Sequence, residues 1–425
     1  MKVLWFTNTP SLYKENSHHY NGAGWIKSLE EMVITVPGIE LGVSFYHPED
    51  GEKCRRGNTT YYPILRKKGS PLRKLYHNWK AAVEPKADIQ RYLEVIRDFK
   101  PDIIQIFGTE SSFAAVQPFT DIPVVIHLQG LISPYENTFY PAGINRYNIL
   151  FEPRFFKRHL LGNSLLFDRK RFNKQAKREL SYFKASRYLM GRTGWDKLVS
   201  ALLAPQSVYF HVDEVLRSIF YSTPAWRPAD RNKLIIVSTI SRTIYKGLDL
   251  VLKTAKLLKE HTALSFEWQV AGLSQDDIIV SFFERQLGIT CKDCNVILTG
   301  VKDDVELIQM QKAADVFVHP SYIENSPNSV CEAQLLGMPV IACNAGGVSS
   351  LIESGVNGIL VPANAPYDLA AQVKKLANEK TYAAELGKQG RIAAQQRHDR
   401  KKILSDLIEA YEAIVNKRSE IKKVG

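Results

Sequence analysis

A chain of 425 residues is too long for one ordinary hydrophobic core and suits two domains of about 200 residues each. Hydrophobic residues make up 45% and charged residues 24%, a globular balance, and five cysteines in this length exclude a disulfide framework and indicate a reducing cytoplasm. The net charge of +12 is concentrated in residues 151–187, which hold eleven Lys or Arg against three acidic residues.

Short β-rich runs alternate with helical patterns through the first half of the chain. The candidate elements are the strands Lys2–Asn8, Leu41–Tyr46, Asp102–Phe107, Pro123–Leu128, Tyr188–Arg192 and Val208–Val212 and the helices Gly24–Val33 and Lys197–Leu203. Such alternation predicts a parallel sheet with covered faces, and therefore an α/β domain over residues 1–220. No run of roughly 18 or more apolar residues occurs, so we expect no transmembrane helix.

The basic segment, residues 151–187, interleaves its Lys and Arg residues with large apolar side chains. These are Phe155, Phe156, Leu160, Leu161, Leu165, Leu166, Phe167 and Phe172. A basic amphipathic helix of this kind is typical of elements that bind an anionic membrane surface. Two alternatives remain, a helix pair packed on its own domain and a nucleic-acid site, although no recognition module supports the latter. We therefore expect peripheral membrane contact and no nucleic-acid partner.

A polar stretch with two prolines, residues 221–232, is the candidate linker. The second domain, residues 233–405, contains a new alternation with strands at Leu234–Ser238, Phe266–Gly272, Val296–Gly300, Val316–Pro320, Val340–Cys343 and Gly358–Pro362, then a long helical pattern over Tyr367–Lys417. We expect residues 406–425 to form a helix that packs back on the first domain. Ligands of open α/β sheets bind at the carboxyl ends of strands, so the loops after the strands should form the site.

Two glutamates, Glu324 and Glu332, lie eight residues apart after the candidate strand Val316–Pro320. Glu324 is on the loop, and Glu332 is within an apolar helix for which Ser326 predicts the N-cap and Pro327 the first helical position. A buried carboxylate requires hydrogen-bond donors, which the vicinal hydroxyls of a ribose would supply. The helix N-terminus would favour a phosphate. The alternative is that both glutamates are ordinary, one exposed and one in a salt bridge.

This part of the chain resembles the retaining glycosyltransferases of family 4, which have the GT-B fold. Their E-x7-E signature, Gly-x-Pro-Val strand and Gly-Gly turn are matched by Glu324 and Glu332, by Gly337-Met-Pro-Val, and by Gly346-Gly347. The resemblance covers residues 234–375. It implies two Rossmann-like domains facing a central cleft, with Glu324 binding donor-sugar hydroxyls and Glu332 binding the ribose.

The resemblance also implies the rest of the donor site. Arg242 and Lys246 match a basic pair that stabilises the diphosphate leaving group without a metal. Gly300 and Val301 stand where family members contact the base through backbone atoms. The other candidate donor-binding residues lie around the two glutamates and are Asn325, Ser326, Asn328, Ser329 and Val330.

In the first half, Gly22 and Gly24 look like the family's glycine loop, and His127 matches its histidine at the reaction centre. Without the resemblance, His127 would be interpreted as a core histidine with satisfied hydrogen bonds. Arg192 and Asp196 follow another strand and are candidates for acceptor binding, although Arg192 would equally suit a role in bracing Asp196.

The resemblance implies a metal-independent, retaining hexosyltransferase that needs no cofactor and uses a UDP- or GDP-sugar as donor. The acceptor would be a lipid-linked glycan of cell-surface polysaccharide synthesis, at the inner face of the cytoplasmic membrane. One alternative is a nucleotide-sugar epimerase of the same fold, which would require acid/base carboxylates in the first half. Another is a non-catalytic binding subunit, which would be expected to lack Glu324, Arg242 or Lys246.

Overall fold

The computed structural model describes residues 1–13, 24–49, 51–66, 70–84 and 88–424, with side chains described through residue 417. The chain forms two compact units. Unit 1 comprises residues 1–136, 161–217 and 398–425, whereas unit 2 comprises residues 137–160 and 218–397. Neither unit is continuous in sequence. Residues 137–160 and 218–220 of the predicted first domain belong to unit 2, and residues 398–405 of the predicted second domain belong to unit 1.

Unit 1 is built on one eight-stranded sheet. Its strands are β1 (Lys2–Thr7), β2 (Glu40–His47), β3 (Cys54–Arg56), β4 (Thr59–Leu65), β5 (Ile103–Phe107), β6 (Val124–His127), β7 (Tyr188–Gly191) and β8 (Val208–His211). The order is β3-β4-β2-β1-β5-β6-β7-β8, parallel except for the antiparallel pair β3 and β4. β1 is apolar on both faces and Val3 to Phe6 are fully buried, as expected for a parallel strand with covered faces.

Unit 2 contains a second sheet, which is parallel throughout. Its strands are β9 (Leu234–Thr239), β10 (Phe266–Ala271), β11 (Val296–Gly300), β12 (Val316–His319), β13 (Val340–Asn344) and β14 (Ile359–Pro362), in the order β11-β10-β9-β12-β13-β14. Every predicted strand of the second half is present within a few residues of its expected position. The two parallel sheets confirm the predicted α/β class.

Helices connect the parallel strands, because a parallel pair requires a long crossover. They are α1 (Gly24–Val33), α2 (Pro71–Trp79), α3 (Asp88–Phe99), α4 (Ile132–Asn137), α5 (Arg146–Leu150), α6 (Phe156–Leu160), α7 (Leu165–Ala185), α8 (Gly194–Leu203), α9 (Ser218–Ser222), α10 (Leu248–His261), α11 (Ile278–Leu287), α12 (Asp304–Lys312), α13 (Asn328–Leu336), α14 (Pro366–Asn378), α15 (Lys380–Arg397) and α16 (Arg400–Val424). Within the described part of the chain, no helix has both the length and the apolar character needed to span a membrane.

The long helical pattern predicted for Tyr367–Lys417 is broken into α14, α15 and α16. Asp399 starts the last helix, since its carboxylate accepts the backbone N–H of Lys402 at 2.7 Å. α16 packs within unit 1, where Leu407 and Tyr411 are fully buried in the same apolar cluster as Trp5. The chain therefore returns to its first unit through its last helix.

The predicted linker, residues 221–232, packs on unit 2. Trp226 is buried, its backbone N–H donates to the carbonyl oxygen of Leu336 at 2.7 Å, and its indole N–H donates to that of Ala314 at 2.7 Å. The chain crosses from unit 1 to unit 2 earlier, between Arg217 and Ser218. The two prolines are typical of a linker, but Trp226 is buried in unit 2 and fixes the stretch there.

The basic segment is divided between the units at residue 160. Its longest helix, α7, packs its apolar side on unit 1, with Phe167 against Trp79 at a ring-centroid distance of 5.2 Å. The arginines of α7 form ion pairs within the same unit, such as the largely buried pair of Arg178 and Glu84 at 2.6 Å. Residues 151–187 therefore do not form one amphipathic helix that could bind a membrane. The apolar side of α7 already packs on the protein.

Candidate active site

In unit 2, two adjacent parallel strands end at the same edge of the sheet, and each is followed by a loop with a charged side chain. The loop after β9 leads to Lys246 and the loop after β12 leads to Glu324. The carboxyl ends of parallel strands lie together, so the two loops meet. The backbone N–H of Tyr322 donates to the carbonyl oxygen of Tyr245 at 2.9 Å and joins them.

The carboxylate of Glu324 is held by three side chains. The ammonium of Lys246 contacts its Oε1, the hydroxyl of Ser321 donates to the same oxygen at 3.0 Å, and Nε2 of His319 lies 3.7 Å away. Burial raises the pKa of the Glu324 carboxyl, but Lys246, His319 and Ser321 outweigh this effect and hold it below its ordinary value. Glu324 is therefore a buried carboxylate that stays ionised at neutral pH.

His319, the last residue of β12, is a member of this cluster that the sequence analysis missed. Burial lowers its pKa to about 4, so the imidazole is neutral at pH 7. Its Nδ1 lies 3.5 Å from the hydroxyl of Ser329, and its Nε2 has no hydrogen-bond partner among the described residues. The sequence offered a signal, a histidine at a strand end, but the run Val-Phe-Val-His reads as an ordinary buried strand.

Two glycines with left-handed backbone allow the close packing around Glu324. Gly247 has φ of 83°, and a Cβ at this position would clash with the carbonyl oxygen of Pro320. Gly346 has φ of 60°, and a Cβ there would clash with the carbonyl oxygen of Glu324. Gly347 donates its N–H to that same oxygen at 2.9 Å. The Gly-Gly turn therefore fixes the backbone from which the carboxylate projects.

The apolar helix predicted after Glu324 is α13, although it starts one residue later than expected. Pro327 is the N-cap, with ψ of 112° and no side-chain hydrogen bond to the first turn. Ser326 as N-cap was therefore wrong, because the extended backbone of Pro327 delays the first helical residue. The helix ends at Gly337, which has φ of 85° and serves as its C-cap.

The remaining candidates of the donor loop lie on or just before α13. Glu332 is 2% exposed inside the helix, four residues after Asn328 and hence on the same helical side. Asn325, Ser326 and Val330 are buried, whereas Asn328 and Ser329 in the first turn are partly exposed. The structure thus brings the predicted loop residues together at one helix N-terminus.

The two residues of the predicted basic pair have different partners, because Lys246 contacts Glu324 whereas Arg242 pairs with Asp277. Nε of Arg242 lies 2.5 Å from Oδ1 of Asp277, and 67% of the Arg242 side chain is exposed. Farther along the same sheet edge, Gly300 donates its N–H to the carbonyl oxygen of Leu273 at 2.8 Å. The Gly300 N–H is therefore engaged within unit 2, while the neighbouring Val301 is exposed.

In unit 1, His127 ends β6 and is fully buried. Its Nδ1 lies 2.9 Å from Nε2 of Gln105, and its ring packs edge-on against Trp25 at 5.6 Å between centroids. Burial, reinforced by the positive charge of Arg192, lowers the pKa of His127 to about 3. The imidazole is therefore neutral at physiological pH.

The guanidinium of Arg192 does not brace Asp196. It lies over the ring of Trp25 at 5.4 Å, with Nε 3.5 Å from Oε2 of Glu214. The carboxylate of Asp196 instead accepts the backbone N–H of Arg192 at 3.0 Å. Asp196 thus shapes the turn at the start of α8 and leaves the Arg192 side chain beside Trp25. Gly24 begins α1, and Gly22 lies outside the described residues.

A second residue missed by the sequence analysis is Glu110, which follows β5. Burial and the nearby carboxylate of Glu179 raise the pKa of Glu110 to about 7. Glu179 itself accepts the backbone N–H groups of Ile132 and Ser133 at 2.9 and 2.7 Å, so its role is structural. The sequence contained no local pattern that would distinguish Glu110 from a surface glutamate.

Residues 224–393 match the sequence model of the family "Glycosyl transferases group 1". D-inositol 3-phosphate glycosyltransferase of Rhodococcus erythropolis is 28% identical over 182 residues, 39% of this chain and 40% of that protein. Amylovoran biosynthesis glycosyltransferase AmsK of Erwinia amylovora is 30% identical over 156 residues, 35% of this chain and 37% of that protein. The matched part therefore spans well under half the length of these relatives.

Two solved structures are similar over nearly the whole chain. Sucrose-phosphate synthase from Thermosynechococcus elongatus has a TM-score of 0.71 at 15% identity, covering 97% of this chain and 98% of that one. Anabaena Alr3699/HepE, solved in complex with UDP and glucose, has a TM-score of 0.62 at 15% identity, covering 97% and 99%. At this level of identity the similarity concerns the fold, and it confirms the GT-B prediction.

Proposed function

Residues 224–393 belong to the glycosyl transferases group 1 family, and from this we propose that the protein is a retaining hexosyltransferase with a nucleotide-diphosphate sugar as donor. The observation that carries the proposal is the contact between Lys246 and Glu324 at the edge shared by two parallel strands. It unites a fixed positive charge and a buried, ionised carboxylate, the two groups that a sugar diphosphate requires.

The carboxylate of Glu324 would bind the hydroxyls of the donor sugar. Ionised carboxylate oxygens are acceptors only, and two of them suit the two donors of a vicinal diol. Lys246 and Ser321 already occupy part of one oxygen and fix the orientation of the group. A preorganised acceptor of this kind favours a polyhydroxylated ligand over water, because its position needs no rearrangement on binding.

The diphosphate would lie between Lys246 and the N-terminus of α13, whose nine residues align their peptide dipoles toward it. Arg242, whose side chain is 67% exposed, would join by exchanging Asp277 for a phosphate oxygen. These fixed charges would stabilise the leaving group without a metal or another cofactor. The acceptor oxygen would bond to the anomeric carbon as the bond to phosphate breaks, and its proton would go to a phosphate oxygen.

The nucleoside would lie beyond the phosphate. Glu332, buried on the same side of α13 as Asn328, would accept from the ribose hydroxyls, and Val301 would cover the base. The similarity in fold to HepE, which was solved with UDP and glucose, supports a uridine nucleotide, and GDP is the alternative. Asn325, Ser326, Ser329 and Val330 would line the same loop.

The acceptor residues would be His127, Arg192 and Asp196 of unit 1. AmsK is named for the biosynthesis of amylovoran, a precedent for a polysaccharide product. We propose a glycan acceptor, linked to a lipid, in the synthesis of a cell-surface polysaccharide on the cytoplasmic side of the membrane.

Membrane contact would come from residues 147–160 rather than from α7. In this part of unit 2, Tyr147, Phe151, Phe156 and Leu160 are exposed, and Lys157 and Arg158 beside them are exposed as well. Exposed aromatic and aliphatic side chains flanked by basic residues suit the interface of an anionic bilayer. The opposite side of the same stretch is anchored, since Phe155 packs against Phe282 at 5.5 Å.

A nucleotide-sugar epimerase of the same fold is the second candidate, and the raised pKa of Glu110 in unit 1 is the observation that favours it. A single carboxyl is not the acid/base pair that such an enzyme would require. A non-catalytic binding subunit is the third, although Glu324, Arg242 and Lys246 are all present.

The experiment that tests the proposal is a thermal-shift screen with UDP-, GDP- and ADP-sugars followed by a transfer assay with the stabilising donor. We expect stabilisation by one UDP- or GDP-sugar and release of its nucleotide on transfer to a glycan, with full activity in EDTA. Isomerisation of the sugar without transfer would establish the epimerase instead. Dependence on added Mn²⁺ would exclude the metal-free mechanism.

A further inference from the structure

A chain of buried hydrogen bonds in unit 1 joins the last helix to His127. The indole N–H of Trp5 donates to the hydroxyl oxygen of Tyr411 at 3.0 Å, and the Tyr411 hydroxyl donates to Oε1 of Gln105. Nε2 of Gln105 lies 2.9 Å from Nδ1 of His127. Trp5, Gln105, His127 and Tyr411 are all fully buried, so water does not compete for these groups.

The indole of Trp5 determines which group donates in each of these hydrogen bonds. An indole N–H only donates, so it occupies a lone pair of Tyr411 and directs the Tyr411 hydrogen toward the carbonyl oxygen of Gln105. The amide nitrogen of Gln105 therefore faces His127 and donates to Nδ1. An Nδ1 that accepts a hydrogen bond carries no proton, so the proton of the neutral imidazole is on Nε2.

The surroundings keep this imidazole neutral and leave its proton available. Burial and the positive charge of Arg192 lower the pKa of His127, and the carboxylate of Glu214 opposes them. Phe107 and Trp25 pack against the ring at centroid distances of 5.5 and 5.6 Å. Nε2 of His127 has no hydrogen-bond partner within the described residues. A buried donor left in this condition is expected where a ligand supplies the acceptor.

We propose that Gln105 and Tyr411 are positioning residues that fix His127 as the Nε2-protonated tautomer, which donates a hydrogen bond to an oxygen of the bound substrate. The importance of this donor for transfer rests on the proposed function, whereas the tautomer itself does not. α16, the helix that carries Tyr411, thereby contributes to the reaction without touching substrate.

The tautomer is measured directly by ¹⁵N–¹H NMR of the full-length protein labelled at its 10 histidines, with His127→Gln to assign the signals. We expect Nε2 of His127 to carry the proton from pH 6 to pH 8 in the wild type. Gln105→Glu replaces the donor by a carboxylate and should move a proton to Nδ1. Tyr411→Phe frees the Gln105 amide to rotate and should give a mixture of both tautomers.

Transfer kinetics separate the two proposals. Gln105→Glu and Tyr411→Phe should lower kcat by about tenfold or more, the equivalent of one hydrogen bond, with a smaller change in KM. Tyr92→Phe is the matched control. Tyr92 is a buried tyrosine of unit 1 whose hydroxyl bonds to Ser112 at 2.7 Å and takes no part in the hydrogen bonds between Trp5 and His127. This variant should leave the tautomer of His127 and kcat unchanged.

Each outcome is decisive. A proton on Nδ1 of wild-type His127, or an unchanged tautomer in both Gln105→Glu and Tyr411→Phe, would overturn the positioning role. If the tautomer moves as expected but transfer does not change, the positioning stands and the part assigned to His127 in the reaction fails.

Discussion

The ammonium of Lys246 contacts the carboxylate of Glu324 although 78 residues separate them in sequence. The pair forms because β9 and β12 are neighbours in a parallel sheet, which places the loops that follow them side by side. A buried carboxylate needs such a partner, since desolvation without it would favour the protonated form. The contact therefore sets the charge that Glu324 presents to a ligand.

Glu324→Ala should abolish sugar transfer while nucleotide binding survives, because the substitution removes the acceptor for the sugar hydroxyls and not the phosphate contacts. We expect kcat to fall at least about 100-fold, the size of effect seen when one preorganised group is removed from an active site. Stopped transfer assays and titration with free UDP and GDP measure the two properties. Glu260→Ala, an exposed carboxylate on α10, is the control, and strong turnover in the Glu324 variant would remove Glu324 from the reaction.

Lys246→Met should raise the pKa of Glu324, since burial would then act with less opposition. The native carboxylate has a lowered pKa, so activity that requires its ionised form is lost only when the pH falls below that value. In the variant, the acid limb of the kcat/KM profile should lie at higher pH. An acid limb at the same pH in both proteins would show that the ammonium does not control this carboxylate.

Gly247→Ala should destabilise unit 2 by more than about 3 kcal/mol, because it combines a left-handed backbone with a clash against Pro320. Gly288→Ala is a matched control, since Gly288 also has positive φ, 62°, but no atom lies within 4 Å of its would-be Cβ. The control should lose only about 1–2 kcal/mol. Urea unfolding compares the two variants, and equal losses would mean that the close approach to Pro320 is unimportant.

Glu110→Gln should reduce the decrease in the free energy of unfolding that occurs in the wild type as the pH rises. The pKa of Glu110 is raised to about 7 in the folded protein, above its value in the unfolded chain. The folded protein is therefore stabilised by the protonated carboxyl at low pH, and it loses this stability as the pH rises toward 7. The variant should therefore gain about 2 kcal/mol relative to wild type between pH 5 and pH 8. Thermal unfolding at both pH values measures it, with the exposed Glu94→Gln as control. A constant difference in stability across this range would contradict the raised pKa.

Replacing Phe156 and Leu160 by Ser should weaken binding to vesicles that contain phosphatidylglycerol by at least about tenfold, because two apolar side chains no longer enter the bilayer interface. Leu198 and Leu202 on α8 are 73% and 78% exposed, comparable to Phe156 at 65% and Leu160 at 57%. Their double Ser variant is the control and should bind like the wild type. If the two double variants lose the same amount of vesicle binding in a sedimentation assay, Phe156 and Leu160 have no specific role in membrane contact.

The strands of the second half were predictable because parallel strands buried on both faces leave long apolar runs, such as Val-Phe-Val in β12. The hairpin of β3 and β4 was missed. β4 contains Pro63, which is unusual in a sheet interior, but β3 pairs only with Thr59, Thr60 and Tyr61. Among the described residues, β3 therefore ends before it reaches Pro63, and no hydrogen bond from the Pro63 nitrogen is needed on that side of β4.

Relationships over long sequence separations were not accessible from local patterns. The sequence identified Glu324 and His127. It did not identify His319, whose relevance depends on its position beside Glu324, or Gln105, which is hydrogen-bonded to Tyr411 across 306 residues. The membership of residues 137–160 in unit 2 likewise depends on tertiary contacts such as Phe155 with Phe282. Periodicity indicates which side of an element is apolar and leaves open what covers it.

The discontinuity of unit 1 has a consequence for biosynthesis. The ribosome makes residues 1–136 before residues 218–397, and Tyr411 and its apolar neighbours on α16, which complete the core around Trp5, follow after both. During translation the sheet of unit 1 therefore stays partly uncovered until α16 has been made, whereas the residues of unit 2 are all present once residue 397 has been added. A nascent chain that stalls before α16 would expose apolar surface around Trp5, the kind of surface that makes incompletely folded chains prone to aggregation.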